Sequence, residues 1–111
     1  MTRPGLAARM RGMEYLAVLW SHGNSIDPIE LFSELDDSRS EVRKVEIFPD
    51  GRAGYADATT EFGGTGLGIV PVPSLLEISI DPQFVARVIS VAEFEEVWSR
   101  ALDGDSWRPP A

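Results

Sequence analysis

Glu41-Val42-Arg43-Lys44-Val45-Glu46-Ile47-Phe48-Pro49-Asp50-Gly51-Arg52-Ala53-Gly54-Tyr55-Ala56-Asp57 reads as two strands joined by a tight turn. Pro49 presets φ for a turn, Asp50 tolerates the next position, and Gly51 takes the left-handed region without steric penalty. A three-residue loop, Pro49-Asp50-Gly51, sets the register. On one side Ile47 then faces Ala53, Val45 faces Tyr55 and Arg43 faces Asp57; on the other, Lys44 faces Ala56, Glu46 faces Gly54 and Val42 faces Ala58. The first side is apolar near the turn and is expected to face a core. The second is expected to face solvent or a partner, because the small residues opposite Lys44 and Glu46 leave those side chains room.

Outward from the hairpin, strands precede helices. Tyr15 to Trp20 is a nearly continuous apolar run suited to a central strand, and Ser21 to Pro28 is rich in turn formers. In Ile29 to Leu35, alternation argues strand while Glu30 and Glu34 also suit a helix; the strand reading is preferred because the acidic turn Asp36-Asp37-Ser38 leads into another strand. Phe84 to Ile89 reads as a further strand. Ser74-Leu75-Leu76-Glu77 and Ser90-Val91-Ala92-Glu93 both fit a capping box, in which Ser and Glu satisfy each other's backbone donors. The first opens a short helix ended by Asp81-Pro82. The second opens a helix over Val91 to Leu102, closed by Gly104, with Phe94, Val97, Trp98, Ala101 and Leu102 in one apolar stripe. Strands followed by helices, without regular alternation, predict an α+β fold: an antiparallel sheet of four to five strands, the C-terminal helix packed on one face, and a short second helix.

The 111 residues suffice for one domain, expected over 13–102. Residues 1–12, with Pro4, Gly5, Gly12 and three arginines, are expected to be a disordered extension before a natural start at Met13. Residues 103–111 are expected to be a flexible tail, Trp107 being the one residue suited to fold back. No apolar run approaches the length of a membrane span, no secretory segment is evident, and a cytoplasmic protein is the default expectation.

Ten basic residues stand against eighteen acidic ones, a net charge of −8. Such a chain repels phosphate backbones, so nucleic acid is not an expected partner, and a basic protein is the favoured one. Chemistry is harder to find. Cysteine is absent and His22 is the sole histidine, which excludes zinc sites built from His and Cys. His22 sits in a loop with no nucleophile elbow near it. Asp36, Asp37 and Glu41 lack the spacing of a calcium loop. Phe62-Gly63-Gly64-Thr65-Gly66-Leu67-Gly68 holds four glycines in six positions, but no helix or lysine follows as a phosphate loop requires, so a flexible or tightly turned surface loop is expected. No cofactor is expected.

Leu31-Phe32-Ser33-Glu34-Leu35-Asp36, Glu41 to Phe48, Asp50-Gly51-Arg52 and Gly54-Tyr55-Ala56 together resemble a family of small bacterial proteins of unknown function. Asp81-Pro82-Gln83-Phe84 and Glu93-Phe94-Glu95-Glu96-Val97-Trp98 extend the resemblance over roughly Met13 to Leu102. It implies no activity and carries no catalytic or binding residue to this chain.

The preferred expectation is a non-catalytic protein-binding module of the immunity, inhibitor or regulatory kind, monomeric or homodimeric. Its interaction surface would be an exposed acidic cluster of Glu30, Glu34, Asp36, Asp37 and Glu41, with Lys44 and Glu46 beside it. The alternative is a small enzyme or ligand-binding domain using a cleft where His22, the glycine-rich loop, Arg43 and Arg52 converge.

Overall fold

A computed structural model describes residues 13–104. The expected extension 1–12 and all of the expected tail beyond Gly104, Trp107 included, lie outside the described residues. The chain forms β1 (Glu14–Trp20), β2 (Glu30–Leu35), β3 (Glu41–Ile47), β4 (Ala53–Ala56), β5 (Glu61–Phe62), α1 (Leu75–Ile78), β6 (Phe84–Val88) and α2 (Val91–Leu102). The six strands make one antiparallel sheet in the order β5-β4-β3-β2-β1-β6. This is the α+β fold with one strand more than expected. The addition is β5, two residues long and too short to show a periodicity.

The β3–β4 hairpin has the register read from sequence, with Lys44, Val45, Glu46 and Ile47 opposite Ala56, Tyr55, Gly54 and Ala53. Gly51 takes φ 89°, and the turn closes through Phe48 N–H to Arg52 C=O at 2.9 Å and Gly51 N–H to Phe48 C=O at 2.8 Å. The expected pairs Arg43–Asp57 and Val42–Ala58 do not form. Asp57 instead turns the chain toward β5, its carboxylate accepting the Thr59 and Thr60 N–H groups at 2.9 Å.

β1 to β5 meander across the sheet. From β5, at one edge, residues 63–80 cross the back of the sheet to reach β6 at the other edge; α2 then crosses the front. Both faces of the central strands are thereby covered. On the front, Ala17, Phe32, Val45 and Ile47 pack with Phe94, Val97 and Ala101 of α2 into the core. Within the expected stripe Trp98 is only partly buried and Leu102 is half exposed, because α2 lies over β2 to β4 and its flanks overhang.

Both helices start as expected and differ in detail. At α1 the capping box is complete, and the helix ends at Ile78, capped by Ser79, ahead of Asp81-Pro82. At α2 the box is half made. Ser90 accepts the Glu93 N–H at 3.0 Å, while the Glu93 carboxylate takes Arg87 at 2.9 Å. Gly104, at φ 76°, closes α2.

Candidate functional site

The back of the sheet carries the site. A bulge governs its make-up: Glu34 pairs with Arg43 but Leu35 pairs with Glu41, so Val42 is an extra residue in β3. The inserted residue reverses the alternation, and Glu41 joins Lys44 and Glu46 on the back face. There Lys44 Nζ lies 3.5 Å from Glu41 and 3.7 Å from Glu46. Glu41 also accepts the Gly68 N–H at 2.6 Å and the Ser33 hydroxyl at 3.3 Å, and Glu46 accepts the Thr65 hydroxyl at 2.8 Å.

Thr65 and Gly68 belong to the glycine-rich segment, which is a strap and not a loose loop. Gly54, opposite Glu46, is small because Thr65 packs over it: a Cβ there would lie 2.2 Å from Thr65 Oγ1. The room beside Glu46 is thus filled by the chain itself, and the Lys44–Glu46 row is a closed cluster rather than an open surface. Both side chains are mostly buried.

Further along, Arg39 pins the strap. Its φ is 63°, a region few non-glycine residues occupy, and it holds its place through five contacts, the first from its own N–H to the Asp36 carbonyl at 2.9 Å. The guanidinium pairs with Glu14 and donates to the Val72 carbonyl at 2.9 Å and the Pro73 carbonyl at 2.7 Å. The Arg39 carbonyl accepts the Val72 N–H at 2.8 Å.

Between strap and sheet lies a cavity of about 420 Å³. Leu16, Val18, Trp20 and Leu31 form its floor; Val72, Pro73 and Ile78 form its roof. Its polar lining is Ser33, Glu41 and Glu77. The Ser33 hydroxyl proton is committed to Glu41, and the Trp20 indole N–H to Gln83 Oε1 at 3.0 Å. The side chains lining this cavity therefore present no uncommitted donor; of its two carboxylates, Glu41 is engaged by Lys44, Gly68 and Ser33, and the exposed Glu77 takes the Ser74 cap through Oε1. Such a cavity fits an apolar stem ending in a hydrogen-bond donor, best of all a cation.

The front face holds a second charged arrangement, structural in character. Glu34, expected on an exposed cluster, is buried beneath α2 and accepts from Arg43 at 2.6 Å and 3.0 Å and from the Tyr15 hydroxyl at 2.8 Å. Arg43 continues to Glu95 at 2.7 Å and lies over the rings of Phe94 and Trp98, 4.9 Å and 5.1 Å from their centroids. The hydrogen bonds to Glu34 and Glu95 hold the Arg43 pKa above its ordinary value. Burial, with the bond to Glu34, pushes the Tyr15 phenol up to about 12.

The other expected site residues scatter. Glu30 is half-buried at the head of β2, and Asp37 is exposed. Asp36 shapes the β2–β3 turn, accepting from the Ser40 N–H at 2.9 Å and from Ser38; these bonds lower its pKa. His22 donates from Nε2 to the Pro28 carbonyl at 2.8 Å and accepts the Asn24 N–H at Nδ1, so both ring nitrogens serve its own loop. Arg52 donates to the Gly63 carbonyl at 2.7 Å. None of His22, Arg43 and Arg52 lines the cavity behind the sheet. Among the described residues no group of three or more His, Asp or Glu is placed to hold a metal ion, and no helix is long and apolar enough to cross a membrane.

The cavity residues went unrecognised in the sequence because their walls come from segments far apart in it. One hint was present: Val72-Pro73 and the Ser74 capping box together mark a rigid apolar segment with nothing local to cover.

Compared with known families, residues 14–103 match the family described as Domain of unknown function (DUF6881). The chain belongs to this family. The match spans every strand and both helices described above, so the strap, cavity and buried Arg43 network all lie within the shared domain. No curated protein and no solved structure matches the chain.

Proposed function

We propose that this chain is a non-catalytic protein-binding module that holds a basic partner by inserting one of its lysine or arginine side chains into the back-face cavity. The observation that carries this reading is the cavity's composition: apolar walls with two carboxylates, Glu41 and the exposed Glu77, and no uncommitted side-chain donor in the lining. Lysine and arginine carry an apolar stem and a donating head, and so match both parts. A net charge of −8 supports the same partner through longer-range attraction. The buried carboxylates Glu34 and Glu46 are held by partners within the chain, which favours binding over proton transfer as the use of the charged residues.

Affinity capture with the full chain tests this. A basic protein retained at low salt and released at high salt is expected, and Val18→Phe, which fills the cavity, should abolish its retention while leaving the unfolding midpoint near that of the parent. Glu77→Gln should weaken retention without changing the fold. Equal weak background at both salt concentrations, or undiminished retention by a folded Val18→Phe variant, would sink the reading.

A cavity of about 420 Å³ also falls in the range of small-ligand sites, which favours one second reading: a free amphiphilic amine as occupant. Trp20 lies in the wall, so its fluorescence reports such binding directly.

A further inference from the structure

The two edges of the sheet are built differently. At one, β5 is two residues long, its Phe62 stacks on Tyr55 at 5.1 Å, and Gly63 and Gly64 at positive φ turn the chain away at once. That edge is blunted. At the other, β6 runs for five residues, Phe84-Val85-Ala86-Arg87-Val88, without a proline, a lysine or a bulge in its pairing with β1.

Hydrogen-bond alternation shows what β6 offers. Ile89 N–H bonds the Tyr15 carbonyl at 2.8 Å and Ser21 N–H bonds the Gln83 carbonyl at 2.8 Å. In an antiparallel ladder the inward bonds recur at every second residue. Val85 and Arg87 are therefore also turned toward β1, and Phe84, Ala86 and Val88 direct their backbone groups away from the sheet. Only the Phe84 N–H is otherwise engaged among these, to the Asp81 carbonyl at 3.1 Å. Among the described residues no strand pairs with this side.

The surroundings are apolar. Val85, opposite Leu19 on the front, and Val88, opposite Leu16 on the back, are 60% and 55% exposed, and α1, packed against β6, leaves Leu76 and the nearby Ile80 more exposed still. The charged residues of β6 and the segments next to it are Glu77, Asp81 and the ion-paired Arg87 and Glu93.

We propose that β6 takes up an extended segment of a basic partner protein as a seventh strand, antiparallel or parallel to it, with apolar residues beside Val85 on the front face and beside Val88 on the back. This rests on the reading of a basic protein partner and adds the backbone mode by which it docks. Net charge of −8 on each copy opposes a second copy of this chain as the occupant and favours a lysine- or arginine-bearing strand.

The test uses the full chain with two synthetic peptides that carry valines on both faces of an extended strand, one with lysines between the valine pairs and the other with glutamates there, read by amide hydrogen exchange. With the lysine peptide, rapid exchange at Ala86 and Val88 should be lost while Val85 and Arg87 stay as slow as before; the glutamate peptide should change neither. Ala86→Pro removes an outward N–H without touching the β1–β6 ladder and should abolish peptide binding. Val88→Lys, which places a repelling charge on the edge, should do the same if the proline variant fails to fold. The proposal is overturned if neither peptide protects Ala86, if both do so equally, or if protection arises in the protein alone with rising concentration, which would make a second copy the occupant. Peptide-induced shifts at Trp20 and Val72 without protection at Ala86 would also overturn it, while leaving the cavity-based reading standing.

Discussion

Arg43 and Glu41 illustrate how little a residue's type says about its task here. Both are charged residues of β3, two apart, yet the bulge at Val42 sends them to opposite faces. Arg43 organises the front, where it joins two carboxylates to two rings, and Glu41 helps fasten the strap behind. Tyr15 belongs to the Arg43 network and makes it testable by pH. Burial and the bond to Glu34 favour the neutral phenol in the folded protein, raising its pKa from 10.0 to about 12. The resulting stabilisation is complete below pH 10 and is lost as pH rises from 10 to about 12, where only the unfolded chain readily releases the proton. Tyr15→Phe should remove that segment of the stability–pH curve. Parallel curves for parent and variant across this window would show that the phenol does not titrate as argued.

At the scale of elements, β2 shows why alternation misleads in a covered sheet. Ile29, Leu31, Ser33 and Leu35 suggested an apolar face opposite Glu30 and Glu34, hence an exposed acidic row. The strand is there, but α2 covers one face and the strap the other, so Phe32 and Glu34 are buried in front while Leu31 and Ser33 face the cavity behind. α2 was better marked, by its cap and its stripe, and within that stripe Phe94 is wholly buried against Tyr15 while Trp98 is only partly covered. Phe94→Ala is expected to cost about 3–5 kcal/mol, and Trp98→Ala clearly less, in urea unfolding. The reverse order would mean that α2 sits differently on the sheet.

For the molecule as a whole, the back layer depends on the strap, and the strap depends on Arg39. Arg39→Gly relieves the positive φ and removes the guanidinium's links to Glu14, Val72 and Pro73. Amide exchange at Val72 should become about tenfold faster, equivalent to ~1.4 kcal/mol of local stability, while core amides of β2 change little. If Val72 is unaffected, the strap is held by something other than this clamp.

The amino-acid sequence by itself determined the features that depend on near neighbours. Pro49-Asp50-Gly51 sets a turn and its register, Ser74 and Ser90 begin helices, Gly104 ends one, and the excess of acidic residues sets the charge. Each is decided by backbone geometry or composition within a few residues. The tertiary structure alone decided which faces those strands bury, that the glycine-rich segment closes over Lys44 and Glu46, and that a cavity with an accepting lining lies beneath Val72 and Pro73. Those outcomes depend on contacts between segments tens of residues apart, such as Arg39 with Val72 and Arg43 with Glu95. The β3–β4 hairpin joins the two levels: its pairing is local, but whether Lys44 and Glu46 meet solvent or Thr65 depends on where a distant strap comes to rest.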